Sequence, residues 1–260
     1  MERVVPSRWP ALLVLCAGSL MIILDGTVVA VALPAIQRDL GFSAAGLAWV
    51  VNAYLVAFGG LLLLAGRLGD LLGRRRVFLA GVALFTVASL ACAVATGPAL
   101  LVGARFGQGI GGALAMAVSL GMIVRLYPEA AERARAIAVF SFTGAAGASV
   151  GTVAGGVLTQ AAGWRTIFAL AAVLAVLLAI VLYRAIPPLA PRTRLPYAQL
   201  IASVGAVVVR ERAVRWAMVV GATGFAAFSR FWTALTFLLS GRPFRYPVAV
   251  IGLFGLSGLS

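Results

Sequence analysis

The chain has 260 residues, of which 63% are hydrophobic and only 11% charged. A soluble domain carries about 25% charged residues, so this composition excludes an ordinary water-soluble fold and points to lipid as the solvent. The net charge of +14 comes from 21 arginines, with no lysine and no histidine. The missing histidines exclude histidine proton relays and histidine metal sites.

The apolar residues gather into runs of about 20, the length that crosses a ~30 Å hydrocarbon core. In chain order, spans are predicted at 10–33, 47–66, 77–96, 98–124, 136–160, 164–184 and 214–240, with an eighth beginning near 247. The first follows Arg3 and Arg8 and runs through Asp25 to Leu33. That is too long for the apolar core of a signal peptide, so it is a retained span. With the N-terminus in the cytoplasm, alternate loops hold 15 arginines on the cytoplasmic side. The outer loops hold Arg38, Arg165, Arg242 and Arg245. Fifteen against four is the positive-inside asymmetry. A chain this basic could bind nucleic acid, but arginines placed in short loops between spans argue against that partner and for a lipid bilayer.

Three units follow from this layout: six spans over 1–184, a cytoplasmic linker over 185–213, and the first helices of a second half over 214–260. The linker contains Pro187, Pro188, Pro191 and Pro196, which prevent continuous helix. Its apolar stretch Leu200–Val209 is too short to span and suits an interfacial helix. The chain stops at Ser260 inside the eighth run. Carbonyls left open in hydrocarbon are costly, so the sequence reads as a fragment or truncated product.

Asp25, Arg105 and Arg230 are the charged residues inside spans, and ionisable groups at depth mark ion or substrate paths by default. Asp25 lies ~12 Å and Arg105 ~10 Å below the outer ends of their spans at 1.5 Å per residue. Their similar depth permits a carboxylate–guanidinium pair, either static or broken by protonation of Asp25, and the alternative is two groups each satisfied by backbone and water. Arg230 is a candidate substrate contact. Gly144, Gly147, Gly151 and Gly155, with Gly156 beside them, line one face of span five and admit close backbone approach. This face serves packing or a hinge equally well.

The string Gly66 to Arg76, GRLGDLLGRRR, reads as a cytoplasmic loop with turn-forming glycines. In it Asp70 can pair with a neighbouring arginine, and Arg125 is a second candidate partner. Trp9, Trp49, Trp164 and Trp216 lie near span ends as interfacial anchors. Cys16 and Cys92 read as small buried apolar residues without metal-ligand spacing. No GxxxxGK[ST] string occurs, so ATP-driven transport is not expected.

Four motifs together resemble the major facilitator superfamily. GRLGDLLGRRRVFL is similar to its signature between helices two and three at Gly66, Asp70, Gly73, Arg74 and Arg75, departing at Leu71. LVGARFGQGIGGA resembles the fourth-helix signature, which implies proton coupling through Arg105, Gln108 and Gly109. LDGTVVAVALP looks like the first-helix signature of drug:proton antiporters, with Asp25 as its acid. GASVGTVAGGVL resembles the antiporter signature of helix five, with Thr152 where proline is usual.

The resemblance implies an all-α integral membrane protein of the bacterial cytoplasmic membrane. It would be a six-helix half plus the start of another, about seven or eight helices in all, and not an enzyme. It implies a secondary transporter driven by the proton gradient, without cofactor, exporting small drug-like or amphipathic compounds. Asp25, Arg105 and Gln108 would couple protons. Gly66, Asp70, Gly73, Arg74, Arg75 and Arg125 would gate, and Gly147, Gly151, Gly155 and Gly156 would pack. Activity would need the missing half or a second chain. Two alternatives stand beside it: a non-transporting membrane fragment, and a proton-coupled uptake carrier favoured by Thr152.

Overall fold

The computed structural model describes residues 8–185, 206, 208–247 and 250–251. They fold into helices α1 (Arg8–Leu40), α2 (Ala44–Leu72), α3 (Arg74–Ala93), α4 (Pro98–Leu126), α5 (Ala130–Ala162), α6 (Trp164–Ala185) and α7 (Arg212–Ser240), and no strand occurs among the described residues. Helices α1 to α6 are long and apolar enough to cross a membrane. Arg230 interrupts the apolar run of α7, which falls short of that apolarity. The eighth expected span and most of the linker, with its interfacial helix, lie outside the described residues.

Most helices overrun the expected spans, for identifiable reasons. α1 continues past Pro34, whose carbonyl accepts from Arg38 Nε at 3.2 Å, and stops where Gly41 takes φ +67° and donates to Gln37 O at 3.0 Å. A glycine in the left-handed region is a common helix stop. α2 starts under Ser43, whose hydroxyl accepts from the Gly46 amide at 3.0 Å, an N-cap. The expected loop at Gly66–Arg76 is almost entirely helix. Only Gly73, at φ +91°, leaves it. Nothing in GRLGDLL forbids a helix, and the Asp70–Arg74 pair across four residues bridges the break.

α4 packs along both α2 and α3, α5 lies along α1, and α6 covers α3 and α1. Missing side chains make these approaches close. A Cβ on Gly81 would sit 2.7 Å from Gly111 O, and one on Gly111 2.6 Å from Phe85 N, so α3 and α4 touch backbone to backbone. The α5 stripe receives α1 closely too, mostly through α1 side chains and at Gly155 through its backbone. A Cβ on Gly144 would lie 2.8 Å from Ile23 Cδ1, and one on Gly155 2.9 Å from Val28 Cα. Gly147 abuts Leu20, Gly151 abuts Thr27 and Leu24, and Gly156 is buried beside them. The predicted glycine face is therefore the α1–α5 contact.

Two apolar clusters fill the bundle. One holds Leu12, Leu15, Phe78, Phe85 and Met122, and the other Leu33, Ile36, Val50, Leu101 and Phe168. Overpacking a close contact costs about 1–3 kcal/mol. Gly155→Val should therefore lower the unfolding midpoint of the detergent-purified protein, while Gly59→Ala, with nothing within 4 Å of the new methyl, should leave it unchanged or slightly raised.

Candidate functional site

A polar layer separates the two apolar clusters. α1 brings Asp25 between Ile22 of one cluster and Val28 of the other, α3 brings Ser89 between Phe85 and Cys92, and α4 brings Arg105 and Gln108 between Ala104 and Ala115. Asp25 and Arg105, whose similar depth permits a pair, form a buried ion pair through Oδ2 and Nη1. Arg105 Nε donates to Val50 O at 3.0 Å, and its guanidinium lies 4.4 Å from the Tyr54 ring centre. Gln108 joins both partners: Nε2 donates to Asp25 Oδ1 at 3.1 Å, and Oε1 accepts from Arg105 Nη1 at 2.8 Å. A lone charge at this depth is prohibitively costly, whereas here each charge meets its opposite and several hydrogen bonds.

This layer backs onto a cavity of about 390 Å³ between α1, α2, α4, α5 and α7. Tyr54, Phe58 and Trp232 give it aromatic walls, Thr27 and Thr152 supply hydroxyls, and Arg105 is the charged side chain among its described lining. Thr152, which replaces an expected proline, donates to Ser149 O at 2.8 Å inside an unbroken α5. Arg230 is exposed and is not among the cavity-lining residues; α7 contributes Trp232 and Thr233 instead.

The predicted gating residues gather at one end of the bundle. Asp70 Oδ1 accepts from Arg74 Nη2 at 2.8 Å, and Arg74 Nη1 donates to Gly121 O, tying the α2–α3 corner to α4. Arg75 Nη2 donates to Tyr183 O at 2.5 Å and stacks 4.7 Å from that ring, tying the corner to α6. Gly66 faces Ala117 of α4, Gly73 is the break itself, and Arg125 lies in the last turn of α4. The structure pairs Asp70 with Arg74. At the opposite end, Asp39 pairs with Arg165 and accepts from Trp164 Nε1 at 3.1 Å, while Arg165 Nη2 donates to Ala95 O at 2.8 Å. Trp164 is thus a buried tie and not an interfacial anchor; Trp9, Trp49 and Trp216 are exposed.

A family model described as Major Facilitator Superfamily matches residues 15–260. The chain belongs to this superfamily. The relatives that it matches are named as transporters and as export and resistance proteins. The puromycin resistance protein pur8 of Streptomyces alboniger is 46% identical over 160 residues, covering 62% of this chain and 32% of that protein. The cephamycin export protein CmcT of Amycolatopsis lactamdurans is 43% identical, covering 60% of this chain and 32% of its own. The multidrug resistance protein Stp of Mycobacterium tuberculosis is 43% identical, covering 58% and 28%. The chain spans about a third of the length of these relatives. A bacterial homologue of the human lysosomal transporter Spinster, inward-facing and unoccupied, superposes with a TM-score of 0.69 at 19% identity, covering 96% of this chain and 60% of that one. The inward-open xylose transporter XylE from E. coli gives 0.61 at 19%, covering 79% and 57%. These two likenesses carry the major facilitator fold.

Within that fold, sequence reasoning missed the polar layer's supports from α2 and α3. Val50 contributes only a carbonyl, which no side-chain pattern can signal. Cys92, expected to be an apolar filler, donates from Sγ to Gln108 Oε1 at 3.4 Å, and Ser89 Oγ accepts from Gln108 Nε2 at 2.8 Å. Their spacing of three on a span was the available signal. Removing one partner of a buried ion pair costs about 3–5 kcal/mol. Arg105→Met should thus destabilise the protein strongly in detergent unfolding, and adding Asp25→Asn should restore much of the loss.

Proposed function

We propose that this chain forms part of a proton-coupled exporter of small amphipathic compounds in the bacterial cytoplasmic membrane, with its N-terminus inside. The observation that carries the proposal is the buried Asp25–Arg105–Gln108 layer lying directly behind an apolar, aromatic cavity. Resistance and export relatives at 43–46% identity support the outward direction.

Asp25 is the proton-binding group. Ionised, it holds Arg105 against α1; protonated, it loses the Coulomb attraction, and the guanidinium is freed towards the cavity it lines. Export of a bound compound and uptake of a proton then draw on the same residue. Asp70, Arg74 and Arg75 tie the α2–α3 corner to α4 and α6 and gate that end. The α5 glycines hold α1. The proton gradient is the energy source, and no cofactor takes part. Alternating access requires a second body opposite this cavity, supplied by further chain or by a second copy. A proton-coupled uptake carrier is the second reading, favoured by Thr152 in place of the antiporter proline.

The test is pH-gradient-driven dye movement in vesicles bearing the full chain. Asp25→Asn should reduce it to the rate of protein-free vesicles while dye binding persists. Undiminished gradient-driven efflux in that variant rejects the role of Asp25, and inward accumulation of dye with protons selects the uptake reading.

A further inference from the structure

Ser89 and Cys92 stand three residues apart on α3, hence on one face, and both reach the side chain of Gln108. Gln108 Nε2 donates to Ser89 Oγ at 2.8 Å and to Asp25 Oδ1 at 3.1 Å. Gln108 Oε1 accepts from Arg105 Nη1 at 2.8 Å and from Cys92 Sγ at 3.4 Å. Ser89 gives its own proton to Phe85 O at 2.7 Å, so its oxygen has only lone pairs left for Gln108. Both donors and both acceptor sites of the amide are therefore occupied. Ser89, Arg105, Gln108 and Cys92 are each at most 1% exposed, so the amide and its partners are closed to outside solvent.

Turning the amide over would set its oxygen against the Asp25 carboxylate and against the lone pairs of Ser89. It would also set its NH₂ against the Arg105 guanidinium and the Cys92 thiol proton. Gln108 is fixed with N–H towards Asp25. A carboxylate offers this donor a charged acceptor, and a protonated carboxyl a neutral and weaker one.

We propose that Ser89 and Cys92 are positioning residues of the coupling site, holding the Gln108 amide with its N–H on Asp25 and its oxygen on Arg105. This rests on Asp25 as the proton-binding group. It gives α3, which brings no charge to the site, control over the pH at which the site loads. The charged and titratable groups around Asp25 are Arg105 from α4, Tyr54 from α2 and Cys92 from α3. α5 meets α1 through glycines, α6 brings Phe168 to Arg105, and α7 brings Trp232 and Thr233 to the cavity.

The experiment is an infrared titration of the protonated-carboxyl stretch in the purified full chain, with the Asp25 band assigned by its loss in Asp25→Asn. Ser89→Ala removes the acceptor and Cys92→Val the donor; each should displace the midpoint from that of the unaltered protein by about half a pH unit. Cys92→Ser keeps a donor and should titrate like the unaltered protein. The two α3 positions test the same amide independently, so one variant that fails to fold leaves the other decisive. Equal midpoints throughout, an equal displacement by Cys92→Ser and Cys92→Val, or no Asp25 band between about pH 4 and 10 overturns the proposal. Efflux by Asp25→Asn separates the two ideas: if gradient-driven efflux survives while the midpoints move, the coupling role fails and the positioning role stands.

Discussion

The bundle depends on keeping one carboxylate and one guanidinium together at the middle of an apolar interior. Neither charge is tolerable there alone, so the helices that carry them are committed to a fixed register. The same requirement explains the small residues around Arg105. A Cβ on Gly109 would lie 2.8 Å from Ala57 Cβ, and one on Gly107 3.3 Å from Ala88 Cβ. With hydrogens there instead, α2 comes near enough for the Val50 carbonyl to take Arg105 Nε, and α3 near enough for Ser89 and Cys92 to take Gln108. Glycine and charge in the α4 motif are one device: the glycines bring the neighbouring backbones within reach of the groups that the charges need.

The two ends are tied differently from the middle. At the α2–α3 corner, Arg74 and Arg75 give hydrogen bonds to the Gly121 and Tyr183 carbonyls near the C-terminal ends of α4 and α6. The Tyr183 carbonyl lies in the last turn of α6, where carbonyls lack intrahelical donors and carry the negative dipole end, so a cation suits it; that of Gly121 lies a turn further inside α4. At the other end Arg165 takes the Ala95 carbonyl just past α3. Arginine serves these contacts because its planar fork can hold an acid or a ring with one edge and a carbonyl with another. Arginine is thus the fastening at both ends of the six helices.

Much of this was legible in the sequence because lipid makes the code severe. Runs of about 20 apolar residues can only be spans or buried helices, and a charge inside such a run demands a partner, which is why Asp25 and Arg105 could be matched by depth. The glycine stripe was legible because a spacing of three and four fixes one face. Other features were not. The Gly66–Arg76 string reads as loop because glycine and arginine are common there, yet one positive-φ glycine suffices for the turn. Trp164 lies at a span end, where an exposed anchor and a buried hydrogen bond to Asp39 look alike until α1 is placed beside it. Cys92 shows the general difficulty. Its role comes from Gln108, sixteen residues away on another helix, and nothing local distinguishes a thiol that fills space from one that donates.

Two of the contacts that hold α1 are unlike, and the difference bears on how the bundle moves. Towards α4 it is pinned by directed bonds from Arg105 and Gln108, which lose energy steeply with displacement or rotation. Towards α5 it rests on glycines, and Leu20, Ile23, Leu24 and Val28 lie over them in van der Waals contact. Such contacts are individually weak and non-directional, so a small slide of α1 along α5 exchanges one set for a similar one. The opposite ends of α1 carry the ion pairs Arg8–Glu132 and Asp39–Arg165. Both are partly exposed, where an ion pair contributes little. Of these two contacts the directed one with α4 is the stiffer, and under the proposed coupling it is the one that protonation of Asp25 acts on, sparing the glycine face.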